Sequence, residues 1–216
     1  MVILIRKLIY LYNLLFFKNY RLINNIRLSF IIVTKDKIIL GIDPGTTVMG
    51  YGIIHIKDNK MSLVAMGSIE LNKLETHFLK LKKIFERTHY LINEYQPDEF
   101  AIEAPFMGKN PQSMLKLGRA QGISMAVALS KEIPVSEYAP RKIKQSITGR
   151  GTASKEQVAA MLVQLLKLKS LPKHLDATDG LAVAVCHYFQ MGKSDSTKIY
   201  SGWESFVKNN PKRTKS

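Results

Sequence analysis

The tightest constraint in this chain is an apolar run that ends on an acid. Ile38-Ile39-Leu40-Gly41-Ile42-Asp43 is followed at once by Pro44-Gly45, which predicts a buried strand delivering a carboxylate into a tight turn. Glu99-Phe100-Ala101-Ile102-Glu103 repeats the pattern just ahead of Pro105. A carboxylate inside such a run is expensive unless it is paired or metal-bound. The C-terminal ends of buried strands are also where open α/β sheets place their chemistry. Taken alone, Asp43 could be no more than a turn former before Pro44-Gly45.

The intervening pattern organises these strands. Val48–Ile56 and Met61–Leu71 flank Asp58-Asn59 and predict an antiparallel hairpin. Phe78, Leu81, Phe85, Thr88, Ile92 and Tyr95 recur at helical steps, and Pro97 stops that helix. Pro105–Pro111 predicts a loop, and Gln112–Lys131 a helix with small residues from Gly118 to Ala128 that permit close approach of another helix. Pro134–Tyr138 predicts a third buried strand, then a short helix with Pro140 at its first position. Ser154-Lys155-Glu156-Gln157 predicts a capping box opening the next helix. Lys167–His174 reads as a basic connection, and Asp176–Gln190 as the last core helix. A hairpin meander followed by β-α-β units predicts an α/β fold, a mixed sheet flanked by helices.

Asp176 and Asp179 lie three residues apart in the first turn of the final helix, so they share one face. A helix N-terminus favours negative charge, and as a pair they could simply cap the helix. With Asp43 and Glu103 converging at the same sheet edge, however, they would repel strongly unless a divalent cation neutralised them. Oxygen-only donors select Mg²⁺ or Mn²⁺, and two such ions could activate water and stabilise the leaving oxygen of a phosphodiester. Zinc does not fit, because Cys186 is the single cysteine and the five histidines never pair at ligand spacing.

The charge balance names the kind of partner. Lys plus Arg total 32 against 17 Asp plus Glu, a net +15, which suits a polyanion: nucleic acid or an anionic membrane surface. Residues 1–33 stand apart, with no Gly, Ala, Pro, Asp or Glu, and with Arg6, Lys7, Lys18, Arg21 and Arg27 as their only charges. Their longest uncharged run, Leu8 to Phe17, is too short to span a bilayer, and no small-residue cleavage site follows it. The segment reads as a non-native or disordered extension, the product of a start site placed upstream of Val33. An amphipathic surface anchor is the alternative. Residues 191–216 read as a basic, flexible tail. The expected division is therefore 1–33, a nuclease domain over 36–190, and that tail, in a cytoplasmic protein with no membrane partner.

Four blocks of residues carry a resemblance. Ile39-Leu40-Gly41-Ile42-Asp43-Pro44-Gly45 with Gly50-Tyr51-Gly52 resembles the opening of the RuvC Holliday-junction resolvases, members of the ribonuclease-H-like nucleases. Ala101-Ile102-Glu103, Phe106 to Asn110 and Ser113 to Gly118 are similar to their second block. Glu137-Tyr138-Ala139-Pro140 through Gln145, and Asp176 through Ala182, match the later ones. The resemblance implies a ribonuclease-H-like mixed five-stranded sheet and a homodimer that nicks opposed strands of four-way junction DNA. It also implies Mg²⁺, two ions per site with Mn²⁺ able to substitute, and cooperation with the RuvA–RuvB branch-migration complex. By motif position, Asp43, Glu103 and Asp176 would be the essential metal-binding acids and Asp179 a fourth, more replaceable one.

The basic residues fit the same reading. Arg141, Lys142, Lys144, Arg150 and Lys155 fall in a stretch without an acid, as expected for phosphate contacts or for a solvated face. Gly149 and Gly151 would let the backbone approach DNA. By resemblance, Lys144 and Lys155 would lie beside the scissile phosphate. Phe106 would stack on a base unpaired at the crossover, or else pack within its loop. Lys109 and Arg119 are weaker DNA candidates, and His174 and His187 read as structural or surface. Competing classes are an actin-fold ATPase or sugar kinase, a ribonuclease-H-like nuclease acting on RNA, and a non-catalytic DNA-binding module. Gly41 to Thr47 also satisfies the kinase phosphate loop, but 216 residues are too few for the second subdomain that encloses nucleotide. Buried acids disfavour the non-catalytic module.

Overall fold

The computed structural model describes residues 36–105, 110–169 and 175–191. The expectations for residues 1–33, Phe106, Lys109, His174 and the tail after Met191 lie outside the described residues.

Five strands form one sheet: β1 (Lys37–Asp43), β2 (Val48–Lys57), β3 (Lys60–Glu70), β4 (Glu99–Glu103) and β5 (Val135–Tyr138). Their order is β3-β2-β1-β4-β5, with β1, β2 and β3 antiparallel and β1, β4 and β5 parallel. The β2–β3 turn is made by Asp58 and Asn59, both at positive φ, the backbone that a two-residue hairpin needs to match strand twist. The predicted mixed sheet is thus the observed one, except that β5 is a part-exposed edge strand and not a buried one.

Alternation along the strands sorts the core into two layers. Ile38, Leu40, Ile42, Phe100 and Ile102 face one side, covered by α1 (His77–Tyr95) and α2 (Pro111–Leu129). Ile39 and Ala101 face the other, covered by α3 (Pro140–Thr148), α4 (Lys155–Leu166) and α5 (Asp176–Met191). Asp43 and Glu103 therefore belong to the second layer, two residues on from Gly41 and Ala101. Among the described residues, no helix is long and apolar enough to cross a membrane.

Two helices differ from their sequence reading. On α1 the buried residues are Ile84, Thr88, Leu91 and Ile92, whereas Phe78 and Phe85 are 78% and 51% exposed. Of the predicted stripe, Thr88 and Ile92 are buried and Leu81 and Tyr95 pack against the core, joined by Ile84 and Leu91, while Phe78 and Phe85 turn outward and Phe85 stacks on His89. In α2 the predicted loop ends one residue sooner. Asn110 caps the helix by accepting from the Gln112 and Ser113 amides, which lets Pro111 take the first position.

The small residues of α2 split between two faces. Ala120, Ser124 and Ala128 are buried with Val127, while Gly122, Ala126, Leu115 and Leu129 are exposed. The glycines near α3 also have local reasons. Gly149 ends the helix at φ +76, and a Cβ on Gly151 would meet the Arg141 side chain at 2.5 Å. Helix termination and room for Arg141 account for both, beside any approach to DNA.

Candidate active site

Parallel pairing brings the first two acids together. Gly41 is level with Ala101 and Ile42 with Ile102, so the next step of the register sets Asp43 beside Glu103. Both point to the layer of α3, α4 and α5.

The other two acids arrive on α5, which lies unusually close to the sheet. A Cβ on Gly41 would stand 2.4 Å from the Ala184 nitrogen, one on Gly50 2.1 Å from the Asp176 carbonyl oxygen, and one on Gly180 2.5 Å from the Tyr51 nitrogen. Since Gly41 pairs with Gly52 and Asp43 with Gly50 across β1 and β2, the helix rests in a glycine-floored trough. That seating holds its first turn, with Asp176 and Asp179, against the end of β1.

Lys155 enters from α4. Ser154 accepts from the Gln157 amide while the Gln157 side chain accepts from the Ser154 amide, so the predicted capping box is present and Lys155 is the first helical residue. Its Nζ donates to Asp179 Oδ2 at 2.6 Å and lies 3.8 Å from Asp176 Oδ1. Asp179 is largely enclosed at 16% exposure, whereas Asp176 sits on the rim at 48%.

Asp43, Glu103, Asp179, Lys144 and Lys155 line a single cleft of about 190 Å³, walled on its apolar side by Pro140, Ile143, Val158 and Ala182. Burial, then the Asp179 charge, pushes the Asp43 carboxyl up to about 7, against the pull of Lys155. Burial, with Asp43 and Asp179, pushes Glu103 to about 8. Asp179 is raised as well, chiefly by burial, although Lys155 pulls it down. The cleft thus holds more carboxylate than it can ionise without added positive charge. Among the described residues, no three acidic, His or Cys side chains are drawn together tightly enough to hold a metal ion as they stand. Lys155 stands between Asp176 and Asp179. The donors still suit a hard divalent cation, being carboxylate oxygens without sulfur or imidazole.

The DNA candidates divide by position. Lys144 and Lys155 line the cleft, whereas Arg141 and Arg150 are exposed on α3 and the loop after it. Sequence reading missed the apolar wall, for which the helical spacing of Pro140, Ile143 and Ile147 is the available signal. It also gave no partners to His187, which is 5% exposed. Its Nε2 donates to Glu99 Oε2 at 2.5 Å and its Nδ1 lies 2.7 Å from the Tyr138 hydroxyl, while Lys37 pairs with the other Glu99 oxygen. A carboxylate can only accept, so Nε2 is the donor in that bond.

Comparison with known proteins points to one family. The family described as "Crossover junction endodeoxyribonuclease RuvC" matches residues 39–187. A crossover junction endodeoxyribonuclease RuvC of Christiangramia forsetii is 59% identical over 182 residues, covering 84% of this chain and 95% of that protein. One from Bacteroides fragilis is 58% identical and covers 84% of this chain and 97% of its own length. Among solved structures, Thermus thermophilus RuvC in complex with a Holliday junction substrate superposes with TM-score 0.67 at 30% identity, covering 72% of this chain and 94% of that one.

Proposed function

Because this chain belongs to the RuvC family of crossover junction endodeoxyribonucleases, it resolves four-way DNA junctions, and we propose that it does so with the Asp43–Glu103–Asp179 cleft as its active site. The observation that carries this reading is the cleft itself: three carboxylates from two strands and a helix, with two lysines, opening beside a basic face. The relatives are named for DNA crossover junctions, which leaves no reason to prefer RNA.

Asp43, Glu103, Asp176 and Asp179 would hold divalent metal, and Mg²⁺, two ions per site, is the assignment their oxygen donors favour, with Mn²⁺ as a substitute. Such ions would supply Lewis-acid stabilisation of the scissile phosphate and ease deprotonation of the attacking water. The protein's own part is positional. Asp43 and Glu103 are fixed by the strand register, and Asp176 and Asp179 by the seating of α5. Lys144 would neutralise a phosphate oxygen at the cleft mouth, and the wall of Ile143, Val158 and Ala182 excludes bulk water, strengthening each charge interaction inside. Arg141 and Arg150 would track the backbone of the arms, with Phe106 and Lys109 contacting the crossover.

Two opposed nicks need two sites related by a two-fold axis. The exposed α2 face of Leu115, Gly122, Ala126 and Leu129 is the surface we assign to a homodimer. The working unit is the domain over 36–190, acting in the cytoplasm beside the RuvA–RuvB branch-migration complex. Incubating the protein with a synthetic four-way junction and Mg²⁺ tests the reading: paired symmetric nicks are expected, with linear duplex left intact. Equal cutting of linear duplex would contradict it.

A further inference from the structure

Lys155 occupies a position that ordinary helix electrostatics disfavours. It is the first residue of α4, where the positive end of the helix dipole repels an ammonium. It is held there by the acids of α5, donating to Asp179 at 2.6 Å and standing 3.8 Å from Asp176. An ammonium hydrogen-bonded to Asp179 and paired at longer range with Asp176 competes with a second cation for those oxygens.

From this geometry we infer that Lys155 is a built-in counter-cation, standing among the acids before metal arrives and being displaced when it binds. The inference rests on the reading of these acids as metal ligands. In the metal-free protein the lysine relieves a repulsion that would otherwise open the cleft. Metal binding must break the Lys155–Asp179 pair, so part of the metal's binding free energy goes into that exchange. Once released, the ammonium is available to a DNA phosphate. The same side chain would therefore serve the acids first and the substrate second, so that metal and DNA each favour the state the other needs.

The test uses Mn²⁺ alone, with no DNA, so that loss of a phosphate contact cannot intrude. Mn²⁺ uptake by the wild type, Lys155→Met and Lys155→Arg is followed by titration calorimetry, and thermal unfolding is measured with and without EDTA. Lys155→Met is expected to bind Mn²⁺ about tenfold more tightly than wild type, because no cation has to leave. It is expected to melt lower than wild type in EDTA and to lose that deficit in saturating Mn²⁺, while Lys155→Arg stays near wild type. Equal or weaker Mn²⁺ binding by Lys155→Met, with wild type binding normally, would overturn the inference and leave the metal site standing. Absence of uptake by all three proteins would overturn the metal reading and this inference with it.

Discussion

A Cβ placed on Gly50 would stand 2.1 Å from the carbonyl oxygen of Asp176, closer than any real contact. Gly50 pairs with Asp43 across the hairpin, so one glycine sets the distance between the strand that carries the first acid and the helix that carries the last two. Gly50→Ala is expected to push the start of α5 off the sheet. Cleavage should fall at least about a hundredfold, in line with an ångström-scale misplacement of catalytic groups, while junction binding through the lysines and arginines persists. Wild-type cleavage by Gly50→Ala would show that the seating of α5 is not needed.

The pH dependence of stability follows from the raised acids. Asp43 moves from 3.8 to about 7 and Glu103 from 4.5 to about 8 in the folded, metal-free protein. Between those values the folded state keeps protons that the unfolded chain has released. Stability contributed by these groups therefore falls as pH rises from about 4 to about 8, and levels off above that. In EDTA, Asp43→Asn should be more stable than wild type at pH 8, and the advantage should shrink towards pH 5. An advantage that is constant across that range would contradict the assignment.

Glu99 behaves in the opposite sense. Burial alone would raise it, but hydrogen bonds from Lys37 and His187 hold it below its usual value of 4.5. Its stabilisation is present above that unfolded value and is lost as pH falls through the lower folded one. Glu99→Gln should cost about 1–3 kcal/mol at neutral pH and flatten the acid limb below roughly pH 4.5. Denaturant melts at pH 7 and pH 3.5 check this. An equal penalty at both values would sink it.

The reach of the sequence is clearest at Asp43 and Glu103. An acid closing an apolar strand is costly wherever the chain folds, so both positions could be read without any knowledge of their neighbours. Ser154 and Gln157 were equally legible, since a capping box is complete within four residues. The outward turn of Phe78 and Phe85 on α1 was not, because periodicity alone does not say how far round the helix the sheet reaches. Nor could the trough of Gly41, Gly50 and Gly180 be read, since its halves lie far apart in the chain and meet only when α5 docks. The Lys155–Asp179 pair is hidden for the same reason.

A further expectation concerns the exposed face of α2. A Cβ on Gly122 meets nothing within 4 Å, so Gly122→Trp should fold normally and disturb only contacts between chains. The variant is expected to sediment as a monomer and to bind junctions without making paired cuts. A dimeric Gly122→Trp protein, or a monomeric wild type that still makes paired cuts, would place the interface elsewhere or remove the need for one.

In the proposed mechanism the cleft acids perform the chemistry and the basic surface does the holding. Single-turnover cleavage of a synthetic four-way junction by Asp43→Asn, with binding of the same junction measured alongside, separates the two most directly. Nicking should fall by roughly a thousandfold or more, with junction affinity unchanged or tighter because one negative charge has left the path of the phosphates. Cleavage at a near wild-type rate, or loss of binding in step with loss of cleavage, would contradict the assignment of Asp43 to the reaction.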